Sequence, residues 1–198
     1  RHYDSPYSDR FLQFKHLKEA RKRGAPVIDL GDFFCLMQGR YDPRRLRSDI
    51  RPQHHTEDYL DSVINEAVKD FSPYADLFTV IGRGNHEQTI LKHLDTDVLR
   101  RFALGLGNVH IGGYGGWILF SFNDEDSSGR QGKKMKYFHG SGGGGPVTKG
   151  IIQTNRRAVM FPSADIIATG HIHERWSITL TREEVTARGR PYPSDQLH

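Results

Sequence analysis

The stretch Leu77-Phe78-Thr79-Val80-Ile81-Gly82-Arg83-Gly84-Asn85-His86-Glu87 decides how the chain is read. Its first five residues are apolar or β-branched and of strand length. Its last four set an amide, an imidazole and a carboxylate behind a glycine. Three other places repeat the pattern. Pro26-Val27-Ile28-Asp29-Leu30 leads into Gly31-Asp32, Met135 to Phe138 into His139-Gly140, and Asp165 to Thr169 into Gly170-His171-Ile172-His173. Four strand-end turns stocked with metal-binding or proton-transferring side chains imply one metal-centred site.

Outward from these turns, Ser8 to Arg23 sets Phe11, Leu12, Phe14, Leu17 and Ala20 at helical spacing, with Gly24 as a stop. Thr56-Glu57 opens a second helix whose buried face is Tyr59, Leu60, Val63, Ile64, Ala67 and Val68, closed by Pro73. Helix, strand, helix, strand is the rhythm of a layered α/β protein. In the second half Val109 to Ile111, Trp117 to Phe122 and Met135 to Phe138 read as a mostly antiparallel sheet. A helix around Ile151 to Met160, the strand Asp165 to Thr169 and a last strand near Trp176 to Leu180 follow; Arg182 to His198 is polar, with no closing element. Phe33-Phe34 and Trp117-Ile118-Leu119-Phe120 read as core. The expected fold class is α/β, two packed mixed sheets flanked by helices.

At 198 residues the chain suits a single domain. Cys35 is its one cysteine, so an internal disulfide is excluded and a reducing, cytoplasmic setting is expected. Hydrophobic residues at 36% leave no span for a bilayer. Lys and Arg exceed Asp and Glu by 28 to 24, an excess compatible with an anionic partner without demanding nucleic acid.

The turns offer distinct chemistry. Asp32 has two carboxylate oxygens and can bridge two cations; Asn85 gives a neutral amide oxygen. His139, His171 and His173 give imidazoles, which suit Mn, Fe, Zn, Ni or Co better than Mg or Ca. A chain that bends between His171 and His173 lets them reach two different ions. Two ions roughly 3.5–4 Å apart can clamp the attacking and leaving oxygens of an in-line displacement. Asp29 reads as structural, and His16, His54, His55, His93, His110 and His198 as exposed or hydrogen-bonded. Ser141 to Gly145 reads either as a linker or as backbone able to approach a ligand closely.

In order and spacing, Gly31-Asp32, Gly84-Asn85-His86-Glu87, His139-Gly140 and Gly170-His171-Ile172-His173 resemble the calcineurin-like metallophosphoesterases, over nearly the whole chain. The resemblance implies a four-layer α/β/β/α sandwich with a dinuclear site at the strand ends. It implies that His2 and His173 hold the first ion, that Asp32 bridges, and that Asn85, His139 and His171 hold the second. The implied cofactors are two divalent transition-metal ions, Mn²⁺ foremost, with Fe, Zn, Ni or Co as alternatives. A bridging hydroxide would attack phosphorus, His86 would serve the leaving-group oxygen as acid or positive stabiliser, and Glu87 would orient His86.

Three departures qualify the resemblance; one is Glu87, where many members carry aspartate, a change that keeps the charge. The family opens with Asp-x-His, whereas this chain begins Arg1-His2; the expectation is a chain cut inside that motif, and the polar C-terminal stretch reads as unfinished in the same way. The alternatives are that Asp4 supplies the carboxylate or that the first metal site is defective. Cys35 stands where many members carry an acid three residues after Asp32, and reads as a structural thiol or a soft ligand.

The loop from Phe33 to Gln53 carries Arg40, Arg44, Arg45, Arg47 and Arg51, and Arg83, Lys149, Arg156 and Arg157 lie near the turns. Arg40, Arg44, Arg83 and Arg156 are the candidates to hold substrate phosphates without reading bases. Gly31-Asp32-Phe33-Phe34 with this loop also looks like phage-type members of the family. The expected activity is therefore a phosphodiesterase, a nuclease if the diester is DNA or RNA. A phosphomonoesterase acting on nucleotides or phosphoproteins is the alternative enzyme. A catalytically weak, metal-dependent nucleic-acid-binding subunit is the alternative from another class.

Overall fold

The structure, a computed structural model, describes residues 1–36, 49–123, 130–145 and 147–198. It is mixed α/β: five α-helices, a two-stranded sheet and a five-stranded sheet among the described residues. The chain forms two compact units, Arg1–Tyr114 and Gly115–His198.

In the first unit, helix α1 (Arg10–Arg23) starts where the Asp9 carboxylate accepts from Leu12 N at 2.8 Å and stops at left-handed Gly24. Strand β1 (Val27–Asp29) pairs in parallel with β2 (Phe78–Ile81), Asp29 facing Ile81. Parallel pairing requires a crossover, which α2 (Tyr59–Phe71) supplies. Its apolar positions Val63, Ile64, Ala67 and Phe71 are buried. Two further helices, α3 (Asn85–Leu94) and α4 (Val98–Gly105), complete the unit; neither is evident from the sequence pattern. The core is aromatic. Phe33 lies 4.9 Å from Phe71 and 4.6 Å from Phe102 between ring centres, and Phe33, Phe34, Phe71 and Phe102 are wholly buried. Phe33-Phe34 is thus core, as expected, and sits directly behind Asp32.

In the second unit the strand order is β3 (Gly115–Asn123), β4 (Arg130–Phe138), β5 (Ile166–Thr169), β7 (Pro191–Leu197), β6 (Thr179–Val185). The outer pairs are antiparallel, but β4–β5 and β5–β7 are parallel, so the sheet is mixed rather than mostly antiparallel. Helix α5 (Ile151–Met160) provides the β4-to-β5 crossover where the pattern places it. Three other expectations are corrected. Val109 to Ile111 forms no strand of this sheet; Ile111 makes a single parallel bridge to Ile81 in the first unit. The final strand runs over Thr179–Val185, and the polar tail returns as β7 to close a hairpin. Trp117 and Leu119 are exposed, because an apolar run in a strand puts alternate residues on opposite faces.

Candidate functional site

The positions of the chemistry-bearing turns follow from strand direction. Neighbouring parallel strands end at the same edge of a sheet, and ligands gather at carboxyl ends. β1 and β2 are parallel and run into Gly31-Asp32 and Gly84-Asn85-His86-Glu87; β4 and β5 are parallel and run into His139-Gly140 and Gly170-His171. Each unit therefore assembles one pair of these turns.

In the first unit Asp32 is buried and has left-handed backbone at φ +52°. Its Oδ1 accepts from His86 N at 3.1 Å, at the positive end of α3. Gly84 has to be glycine for steric reasons: a β-carbon there would lie 2.1 Å from Asp32 Oδ1 and 2.3 Å from Asp32 N. Asp32 Oδ2 lies 3.8 Å from His2 Nε2 and 3.9 Å from His86 Nε2. Those separations exceed a hydrogen bond and suit donor atoms sharing a cation. Asn85 opens α3 beside them, its carbonyl accepting from Thr89 Oγ1 at 2.7 Å.

Glu87 is wholly buried, and its recorded bonds all come from backbone amides. Oε2 accepts from Asp32 N at 3.2 Å and Gly84 N at 2.9 Å, and Oε1 from Phe34 N at 2.9 Å. Burial, with the Asp32 charge nearby, pushes its carboxyl up to about 7 against the opposing pull of these amides. The ring of His86 is oriented instead by the Cys35 carbonyl, 2.6 Å from Nδ1. A carbonyl only accepts, so Nδ1 carries the proton and Nε2 is the atom left to act. Glu87 thus ties two turns together rather than steering the imidazole, a role that no local spacing reveals.

Asp4 is also committed to backbone. Its carboxylate accepts from Cys35 N at 2.6 Å, Leu36 N at 2.9 Å and the Tyr59 hydroxyl at 3.1 Å. It staples the loop behind Asp32, which argues against its standing in for a missing metal carboxylate. Asp29 is structural, accepting from Gly31 N at 3.0 Å and paired with Arg1.

In the second unit His139 is buried and its ring lies edge-on to that of His171, 5.4 Å between centres. The His139 carbonyl accepts from Gly170 N at 2.9 Å. A β-carbon on Gly140, at φ +117°, would lie 2.8 Å from both Gly170 O and His171 Cβ, so glycine permits the approach. His171 is itself left-handed at φ +68°. His173 is exposed, farther along the same loop. The glycine run serves Ile172: a β-carbon on Gly144 or Gly150 would lie 3.0 Å or 2.3 Å from that side chain.

Three expected ligands, His2, Asp32 and His171, thus hold left-handed backbone, at roughly 1–2 kcal/mol each for a residue with a β-carbon. Asp95 shares the conformation at the end of α3, where it is ordinary. Leu36, Asn108 and Lys149 share it too, so left-handed backbone does not by itself mark a ligand.

The basic candidates fare differently. Arg83 places its two terminal nitrogens 3.2 and 2.8 Å from the Asp97 oxygens. Burial disfavours the charged Asp97 carboxylate, but Arg83 and the Arg100 amide outweigh it and hold it below the usual range. Holding substrate would require Arg83 to give up this pair. Arg156 is exposed on α5. Arg40 and Arg44 lie outside the described residues. Of the remaining histidines, His54 is buried between Ser62 and Glu66, and His198 bonds Gln196.

Comparison with protein-family models, with curated proteins and with solved structures finds no match to this chain. Among the described residues no helix is long and apolar enough to cross a membrane.

Proposed function

We propose that the chain is a metal-dependent phosphoesterase, acting most readily on phosphodiesters. The observation carrying the proposal is the coincidence of topology and residue type: each parallel strand pair delivers carboxylate, amide or imidazole donors at its carboxyl end. The four-layer α/β/β/α sandwich and the single-domain organisation belong to the same proposal, as does a cytoplasmic setting.

The donor set suits two divalent transition metals. One carboxylate, one amide and several imidazoles, without a fully acidic cage, match Mn²⁺, Fe²⁺ or Zn²⁺ rather than Ca²⁺. The residues that would serve as ligands are His2, Asp32 and Asn85 in the first unit and His139, His171 and His173 in the second. When bound, such a pair supplies Lewis-acid neutralisation of the phosphoryl oxygens and an ionised water near neutral pH. The chain's own contribution is positioning. Glu87 fixes the two turns that carry Asp32 and Asn85, and the Cys35 carbonyl holds the His86 proton on Nδ1. With both nitrogens protonated, His86 offers Nε2–H to a leaving oxygen. Exposed Arg156 can meet a second phosphate substituent.

The test is hydrolysis of bis(p-nitrophenyl) phosphate and p-nitrophenyl phosphate with Mn²⁺, by wild type, Asp32→Ala and His86→Ala. The diester should turn over faster, and each variant should lose at least about 100-fold. Equal turnover by all three proteins would overturn the proposal, and faster monoester hydrolysis would replace phosphodiesterase with phosphomonoesterase.

A further inference from the structure

The first unit brings together three donors that the phosphoesterase reading uses separately or not at all. One atom from each of His2, Cys35 and His86 lies within 4.8 Å of the other two. Three points that far apart share a centre no more than about 2.8 Å from each, so zinc-type bonds of ~2.0–2.3 Å need shifts of under about 1 Å. The side chains of His2 and His86 keep 17% and 10% of their exposure, and Cys35 is partly buried. An ion can therefore reach them from solvent.

Their supports are already in place. The His2 and His86 rings meet edge to face at 4.6 Å. The proton on His86 Nδ1 is engaged by the Cys35 carbonyl, the outer contact that turns a histidine's other nitrogen into a fixed ligand. The backbone of Cys35 is in turn held by Asp4, 2.6 Å from its amide nitrogen. Asp32 Oδ2, 3.8 and 3.9 Å from the two imidazole Nε2 atoms, adds negative charge beside the group.

We infer that His2, Cys35 and His86 form a binding site for one thiophilic divalent cation, such as Zn²⁺ or Co²⁺. One thiolate and two imidazoles favour these ions over Mn²⁺, Mg²⁺ or Ca²⁺. Binding releases the thiol proton to solvent and forms the sulfur–metal bond. An ion held there occupies His86 Nε2, so His86 cannot at that moment assist a leaving group; this last consequence rests on the phosphoesterase reading, the site itself does not.

Cobalt titration of the full chain tests the site. Because Cys35 is the one cysteine, a thiolate-to-cobalt charge-transfer band in the near ultraviolet reports on it alone. The band should saturate with added Co²⁺ and vanish in Cys35→Ser. His2→Ala and His86→Ala should each raise the half-saturating concentration at least about tenfold. Circular dichroism checks the folding of the variants. On wild type alone, Zn²⁺ should slow alkylation of Cys35 by iodoacetamide at least about tenfold. Absence of the band at saturating cobalt, unchanged half-saturation in both histidine variants, or unslowed alkylation would overturn the site. No phosphoester is present in these measurements, so their failure is separate from failure of hydrolysis.

Discussion

The two units hold their strand-end turns by different means. In the first, buried carboxylates reach across the chain to backbone amides: Glu87 ties Asp32, Phe34 and Gly84, and Asp4 ties Cys35 and Leu36. The turns rest on a wholly buried aromatic cluster. In the second, Gly140, Gly144 and Gly150 make room for His171 and Ile172, above a small cluster of Ala158, Ala164 and Ile167. The first unit adds, to the close approach at Gly84, hydrogen bonds that water would otherwise satisfy; the second relies on the absence of β-carbons. Rigidity built from buried polar bonds fails abruptly when one partner is removed. Rigidity built from space fails in proportion to the atom added.

Removing Glu87 should break the comparison hardest. Glu87→Ala leaves three buried amides without their recorded acceptor, at a cost of about 3–5 kcal/mol in urea unfolding. A cost below about 1 kcal/mol would show that the carboxylate does not hold the turns.

Matched glycine substitutions come next. Gly84→Ala should cost about 3 kcal/mol, because its β-carbon meets Asp32 backbone at 2.3 Å. Gly140→Ala should cost about 2 kcal/mol, from positive φ and two contacts at 2.8 Å. Gly144→Ala meets the Ile172 methyl at 3.0 Å and Lys149 backbone at 3.3 Å, without positive φ, and should cost about 1 kcal/mol. Thermal melts of the three give the order.

The smallest effect is a pH signature within the first unit. Burial disfavours the charged form of Glu66, but bonds from Arg10, Gln53 and His54 outweigh it and bring its carboxyl down to about 2. Its stabilisation is present above the unfolded value near 4.5 and is lost as pH falls through about 2. Being partly exposed, it should contribute only about 1 kcal/mol. Glu87 runs the other way in metal-free protein: its contribution is full below about 4.5 and is lost as pH rises through about 7. Unfolding midpoints against pH should flatten on the acid side in Glu66→Gln and on the neutral side in Glu87→Gln.

The legible parts of the fold were those with a strong local period. Strands β1, β2 and β5 are short apolar runs ended by glycine turns, and α5 carries a clear helical stripe. Helix α3 was hidden because its first turn is the Asn85-His86-Glu87 string and its cap is glycine rather than a polar side chain. Strand β7 was hidden because Pro191 and Pro193 argue against a strand. They are tolerated because β7 meets β5 only at Leu197, leaving the prolines bonded on the β6 side alone. Of the candidate site, the residue types at the strand-end turns were readable, since they reside in residue identity. The anchoring by Glu87 and Asp4 was not, because their amide partners lie more than thirty residues away except for Gly84.

The central claim is that the chain is a metal-dependent phosphoesterase in which Asp32 and His86 act together, and a double-mutant cycle tests it most directly. Manganese-supported turnover of bis(p-nitrophenyl) phosphate is measured for wild type, Asp32→Ala, His86→Ala and the double variant. Residues acting as one unit are non-additive. Each single variant should lose at least about 100-fold, and the double should be no slower than the slower single. Losses that multiply, or a single variant with wild-type turnover, would contradict the account.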